Sequence, residues 1–281
     1  MSKFRFRGRR NTSENAVKGE RIPVRMIVPN LVTSTAACAG MMSITFSSEG
    51  RFLPAMWALL VACICDGLDG RVARMLNASS KLGAELDSLA DFVNFGVAPA
   101  MFMFFWLTGG PTHVGISPFV TRLVLGCALF YAMCDCFRLA RFNTMLEQPP
   151  IPYWKPFFTG VPAPGGCWMV LSPAILTTAL SEKGQLPILQ NVFQNPYFGM
   201  VMLLFVGSLM ASRLPTISLK TLHIPKKILP WVMAALLLLI AFLVANFWLT
   251  LGVVGFLYVL SIPVTGWAFV KARAKYVSGS N

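Results

Sequence analysis

Long apolar stretches, separated by short polar and mostly basic segments, run the length of this 281-residue chain. They fall at about residues 29–46, 52–75, 88–108, 119–140, 160–180, 196–212, 229–248 and 250–270. A helix rises about 1.5 Å per residue and the hydrocarbon core is roughly 30 Å thick, so a crossing needs about 20 apolar residues. The pattern therefore predicts an all-α integral membrane protein with about eight spans. The last two spans are set apart only by a tight turn near Asn246–Gly252. No internal repeat is evident.

Composition agrees: 56% of residues are hydrophobic and 12% charged, against about 25% charged in a soluble domain. The net charge of +13 would suggest nucleic acid in a soluble protein. Here the basic residues sit between spans, where they report topology. With eight crossings, 21 basic residues share the side of both termini, and three (Arg51, Arg122, Lys183) lie opposite. Both ends and the loop after the second span are therefore expected in the cytoplasm, with the bilayer and not nucleic acid as partner. Residues 1–26 are basic and polar and lack a signal peptide's cleavage pattern, so they read as a cytoplasmic tail. The seven cysteines all lie in apolar segments without Cys-x-x-Cys spacing and are expected as buried free thiols. His113 and His223 stand apart and are expected in loops.

Ionisable residues inside apolar segments are costly and mark function. Four aspartates, Asp66, Asp69, Asp87 and Asp91, fall within DGLDGRVARMLNASSKLGAELDSLAD. On a helix, Asp66, Asp69, Gly70 and Ala73 share one face with Arg74 at its edge, and Gly83, Asp87 and Asp91 form a stripe on the next helix. Two helices can thus turn four carboxylates toward each other. Such a group repels itself unless a cation intervenes, and hard oxygen donors suit Mg²⁺, Mn²⁺ or Ca²⁺. The small residues let a ligand approach the backbone, and Arg74 offers a fork for phosphate oxygens. The plainer alternative pairs each carboxylate with solvent, Arg71, Arg74 or Lys81. A cation transporter is a rival from another class, but it calls for mid-membrane carboxylates and broken helices in both halves.

The spacing of Asp66, Asp69, Gly70, Ala73, Arg74, Gly83, Asp87 and Asp91 resembles the full signature of the CDP-alcohol phosphotransferase family. The resemblance implies a six-helix membrane core with two further C-terminal helices. It divides the chain into a tail (1–26), a core (27–212) and a C-terminal helix pair with a basic end (213–281). It implies that Asp66, Asp69, Asp87 and Asp91 hold a divalent metal, Mg²⁺ or Mn²⁺ and two ions in all. Asp91 doubles as general base. Gly70, Ala73, Arg74 and Ser80 would contact the cytidine diphosphate group. Asn30 and Thr33 match the family's Pro-Asn-x-x-Thr entry into the first span. Ala36 stands where an arginine is often found. A homodimer in the bacterial inner membrane is also implied.

Phe95–Ala100, Phe137–Asn143 and Phe158–Pro164 resemble the bacterial members that accept serine. The implied reaction joins CDP-diacylglycerol and L-serine, giving phosphatidylserine and CMP. Arg138 and Arg141, three residues apart, are expected to face one cavity and grip the serine carboxylate, with Asn143 and Asn94 at polar ends. Headgroup anchoring is the alternative for both arginines. Glycerol phosphate, giving phosphatidylglycerophosphate, is the closest rival acceptor. Asp135 either neutralises Arg138 or meets the serine ammonium; the sequence leaves both open.

Overall fold

The fold was read from a computed structural model, which describes residues 27–78, 80–110, 116–146, 157–181, 187–212, 215–217 and 228–261. The N-terminal tail, the basic C-terminal end, both histidines, Lys155, Lys183, Arg213, Lys220, Lys226 and Lys227 lie outside them.

The apolar runs fold as helices. In chain order they are α1 (Ile27–Ser48), α2 (Phe52–Met75), α3 (Lys81–Asp91), a π-helical turn (Phe92–Val97), α4 (Ala98–Leu107) and α5 (Pro118–Leu146). After these come α6 (Ala163–Ser181), α7 (Pro187–Phe193), α8 (Pro196–Ala211), α9 (Leu229–Ala245) and α10 (Phe247–Ser261). Five helical stretches are long and apolar enough to cross a membrane: α1, α2, the continuous Lys81–Leu107, α5 and α6. The shorter α8, α9 and α10 fall on the remaining three expected spans. Large apolar side chains stand exposed along the outside, Leu31 and Val201 each at 64% and Trp231 at 77%. Such a surface is stable against lipid and not against water. The chain is an all-α, multi-pass membrane protein.

Two expectations need adjusting. The third span begins earlier, because α3 runs into the π turn and α4 without a break. The turn expected over Asn246–Gly252 shrinks to Asn246 alone, since the helix resumes at Phe247. α9 buries none of its residues. By contrast, α10 lies close on α6: a Cβ at Gly255 would sit 2.8 Å from the Trp168 carbonyl oxygen. Trp57 of α2 stacks on Phe247 at 5.3 Å and meets Trp248 edge-on at 4.9 Å.

One short element was not foreseen. β1 (Phe157–Thr159) pairs antiparallel with β2 (Pro215–Ile217), tying the chain ahead of α6 to the chain after α8.

The core lies among α2, α4, α5, α6 and α8, with Phe95, Phe102, Met103, Tyr131, Met169, Leu203 and Met210 nearly inaccessible. Inside it, backbone groups freed from the helical ladder need partners, because lipid offers none. Pro173 in the middle of α6 has no N–H to give the Met169 carbonyl. The Ser172 hydroxyl donates to that oxygen at 2.7 Å. The π turn is held similarly: buried Tyr131 of α5 donates its hydroxyl to the Phe95 carbonyl at 3.0 Å. Such single-turn π segments recur at functional sites, and this one directly follows Asp91.

All seven cysteines are free, as expected, but only Cys134 and Cys167 are buried and Cys38 is exposed. Cys38 lies on the outward face of α1, where a thiol meets lipid as readily as it meets a core.

Candidate active site

The site forms where α2 ends and α3 begins. Asp66 and Asp69 sit in the last turns of α2, and Asp87 in the second half of α3. The spacings turn these carboxylates inward, and one oxygen from each of Asp66, Asp69 and Asp87 comes within 4.8 Å of the others. The Asp91 carboxyl lies against that of Asp66. Four acidic groups thus converge from two helices.

No arginine or lysine among the described residues forms an ion pair with any of the four, so the arrangement in which each has its own basic partner is not adopted. Asp69 is 4% exposed. The Thr33 hydroxyl donates to its Oδ2 at 2.7 Å, and the Gly70 N–H donates to its Oδ1. These two bonds orient Asp69 but leave the mutual repulsion uncompensated. Three hard oxygen donors within 4.8 Å, supported by hydroxyl and amide donors and lacking a protein cation, fit a divalent metal such as Mg²⁺ or Mn²⁺.

A cavity of about 290 Å³ opens beside the cluster. It is lined by Pro29, Asn30 and Thr33 of α1, Asp69, Gly70, Ala73 and Arg74 of α2, and Ala78, Ser80, Gly83, Ala84 and Asp87 beyond them. Every residue expected to contact the nucleotide therefore lines one space. A Cβ at Gly70 would meet nothing within 4 Å, so the backbone here borders open space. Gly83 answers to close packing instead: a Cβ there would lie 2.9 Å from Asn30 Oδ1 and 3.1 Å from Ser80 Oγ. Ser80 caps α3, its Oγ accepting from the Gly83 N–H at 3.0 Å. Thr33 has a role that the sequence did not disclose, because its hydroxyl is turned to Asp69.

The four residues expected around serine do not share one set of contacts. Arg138 donates from Nε to Asp135 Oδ1 at 3.4 Å and lies within electrostatic range of Asp91. Arg141 goes elsewhere. It donates to three carbonyl oxygens at the end of α8: Ala211 (2.8 Å), Ser212 (2.9 Å) and Met210 (3.4 Å). Gly160, at φ +80°, fits against the same knot, where a Cβ would sit 2.9 Å from the Met210 and Ser212 oxygens. That backbone conformation strongly favours glycine. Asn143 donates to Ser88 Oγ at 3.1 Å, joining α5 to α3. Asn94, 1% exposed, has no hydrogen-bond partner on either side-chain polar atom, and its Oδ1 abuts Gly40 of α1. Tyr131 and its bond to the π turn were not foreseen, since a lone apolar-segment tyrosine carries no signal of its destination.

The sequence model of the CDP-alcohol phosphatidyltransferase family matches residues 26–203. Three similar proteins are each named CDP-diacylglycerol--serine O-phosphatidyltransferase. That of Mycobacterium leprae is 34% identical over 238 residues, covering 84% of this chain and 73% of its own length. That of Mycobacterium tuberculosis strain H37Rv is 39% identical over 166 residues, covering 59% of this chain and 54% of its own length. The protein of Helicobacter pylori strain J99 is 36% identical over 188 residues, with 67% and 70% covered. This chain thus spans little more than half of the M. tuberculosis relative.

Proposed function

The chain belongs to the CDP-alcohol phosphatidyltransferase family, and from that premise we propose that it transfers the phosphatidyl group of CDP-diacylglycerol to L-serine. The observation that carries the reading is the convergence of Asp66, Asp69 and Asp87 beside the cavity lined by Gly70, Ala73 and Arg74. Serine as acceptor rests on the names of the relatives.

In this mechanism Asp66, Asp69, Asp87 and Asp91 would hold two divalent cations, Mg²⁺ or Mn²⁺, and these would supply Lewis-acid neutralisation of phosphate charge. Gly70 and Ala73 let the diphosphate lie close to α2, Arg74 binds its oxygens, and Asn30, Thr33 and Ser80 border the nucleotide. Asp91 takes the proton of the serine hydroxyl. The serine oxygen forms a bond to the phosphorus that carries diacylglycerol. The bond from that phosphorus to the bridging oxygen breaks, and CMP leaves with the electron pair. Arg138 faces the serine carboxylate, with Asn94 and Asn143 nearby. Arg141, engaged with the end of α8, positions α5.

Residues 27–212 form the catalytic core of this reading, flanked by the basic tail 1–26 and the C-terminal segment 213–281. Its setting is the bacterial inner membrane, with both termini and the site cytoplasmic. A homodimer is the assembly that the family resemblance implies.

Purified protein supplied with labelled CDP-diacylglycerol decides the acceptor. Serine is expected to yield labelled phosphatidylserine, while glycerol 3-phosphate, inositol phosphate and choline yield little product. Chelation is expected to abolish turnover, and Mg²⁺ or Mn²⁺ to restore it. Product from glycerol 3-phosphate alone would overturn the acceptor, and full activity in excess chelator would overturn the metal role.

A further inference from the structure

Asp135 is the most enclosed acidic residue among those described, with its side chain wholly inaccessible, whereas that of Arg138 keeps 13% of its surface. One carboxylate oxygen accepts from Arg138 Nε, and the other has no hydrogen-bond partner. The Tyr131 hydroxyl, one turn earlier on α5, is committed to the Phe95 carbonyl. The unpartnered oxygen lies against Gly96 of the π turn, where a Cβ would come within 2.8 Å of it. A buried charge left half satisfied in an apolar interior is costly, so a half-used carboxylate beside the reaction centre calls for a physical reason.

Its partner supplies one. Among the described residues, the two terminal amino groups of Arg138 form no hydrogen bond, and only Nε is engaged. The guanidinium thus has its bidentate edge to spare, and it lies within electrostatic range of Asp91. An arginine alone at such a site would favour any anion, and a dianionic phosphate over a carboxylate. Asp135 cancels that preference. The Asp135–Arg138 pair is neutral overall but strongly dipolar. In a medium of low dielectric it favours a ligand carrying both signs in the opposite order and disfavours one with net negative charge.

We propose that Asp135 determines acceptor specificity, its charge beside Arg138 selecting a zwitterionic amino-acid alcohol over an anionic alcohol. The inference rests on the serine reading above and deepens it. Arg138 takes the carboxylate of the acceptor, and Asp135 favours its ammonium.

The decisive probe is 3-hydroxypropionate, which is serine without the amino group. Wild-type protein is expected to favour serine over this probe by at least tenfold in kcat/KM. Asp135→Asn keeps the shape and an oxygen for Arg138 Nε but removes the charge. It is expected to lower the serine to 3-hydroxypropionate ratio at least tenfold, with use of 3-hydroxypropionate holding or rising. Loss of both activities in equal proportion would overturn the proposal, because a residue that only positions Arg138 affects both acceptors alike. Equal use of the two acceptors by wild-type protein would also overturn it, and that measurement needs no variant. If wild-type protein makes no phosphatidylserine, the serine reading itself fails and the inference falls with it. An unchanged ratio in a serine-active Asp135→Asn protein removes the inference alone.

Discussion

Asp91 differs from the other three aspartates in its position. It closes α3 at the point where the π turn begins, and its carboxyl lies against Asp66 instead of joining the tight trio. A group at the edge of a metal cluster can both touch it and exchange a proton with an incoming alcohol. If Asp91 is the base, Asp91→Asn removes general-base catalysis, which contributes roughly 10²–10⁴-fold. The expected outcome is a kcat lowered by about that factor with the KM for CDP-diacylglycerol little changed, since the proposed mechanism leaves the diphosphate to Arg74 and the remaining aspartates. Steady-state kinetics on the purified variant measure both. Near-normal turnover would place the base elsewhere.

At the scale of elements, Arg141 ties α5 to the end of α8. Its guanidinium donates to carbonyls that the helical ladder leaves over. Removing a charged hydrogen-bonding group of this kind costs about 1.5–3 kcal/mol. Arg141→Ala is therefore expected to lower the melting temperature in detergent, and to shift the KM values for serine and CDP-diacylglycerol together if at all. Arg141→Lys should restore only part of the stability, because an ammonium lacks the fork that reaches several oxygens. A selective rise in serine KM at unchanged melting temperature would make Arg141 a serine contact after all. The contrast with Arg138 marks the limit of what the sequence disclosed. The spans were legible because lipid demands long apolar runs, and the carboxylate stripes were legible because helical spacing fixes which residues share a face. Helical spacing puts Arg138 near both Arg141 and Asp135 on α5 and leaves open whether Asp135 engages Arg138. It does not say that Arg141 crosses to α8. The π turn was hidden for the same reason: its stabilising bond comes from Tyr131, 36 positions from Phe95. The β1–β2 pair joins three-residue segments far apart in the chain, too short to carry a strand pattern.

At the scale of the whole molecule, the aspartates gather at one end of the bundle, where α2 finishes and α3 starts, and a soluble acceptor must enter there. The reaction proposed joins a lipid that never leaves the bilayer to an amino acid made and held in the cytoplasm. The site and the basic segments should then face the same way. In the sequence, 21 of the basic residues fall on the side of the α2–α3 loop under an eight-span topology, and three on the other. Basic residues flanking spans bias orientation in this sense, and so uneven a division would not survive a miscounted span before α9. The prediction is that both ends and the α2–α3 loop are cytoplasmic, and that the segment between α4 and α5 is on the far side. Alkaline phosphatase, which is active only outside the cytoplasm, can be fused after Asn281 or inserted near Gly110. Fusion after Asn281 is expected to be silent and insertion near Gly110 active, with a fluorescent protein giving the reverse pattern. A silent phosphatase near Gly110 with an active one after Asn281 would invert the topology and put the carboxylate cluster on the wrong side for a cytoplasmic acceptor. Activity at both positions would mean that α9 and α10 together make a single crossing. That outcome would be in keeping with the one-residue break at Asn246, and it would leave the α2–α3 site where the charges put it.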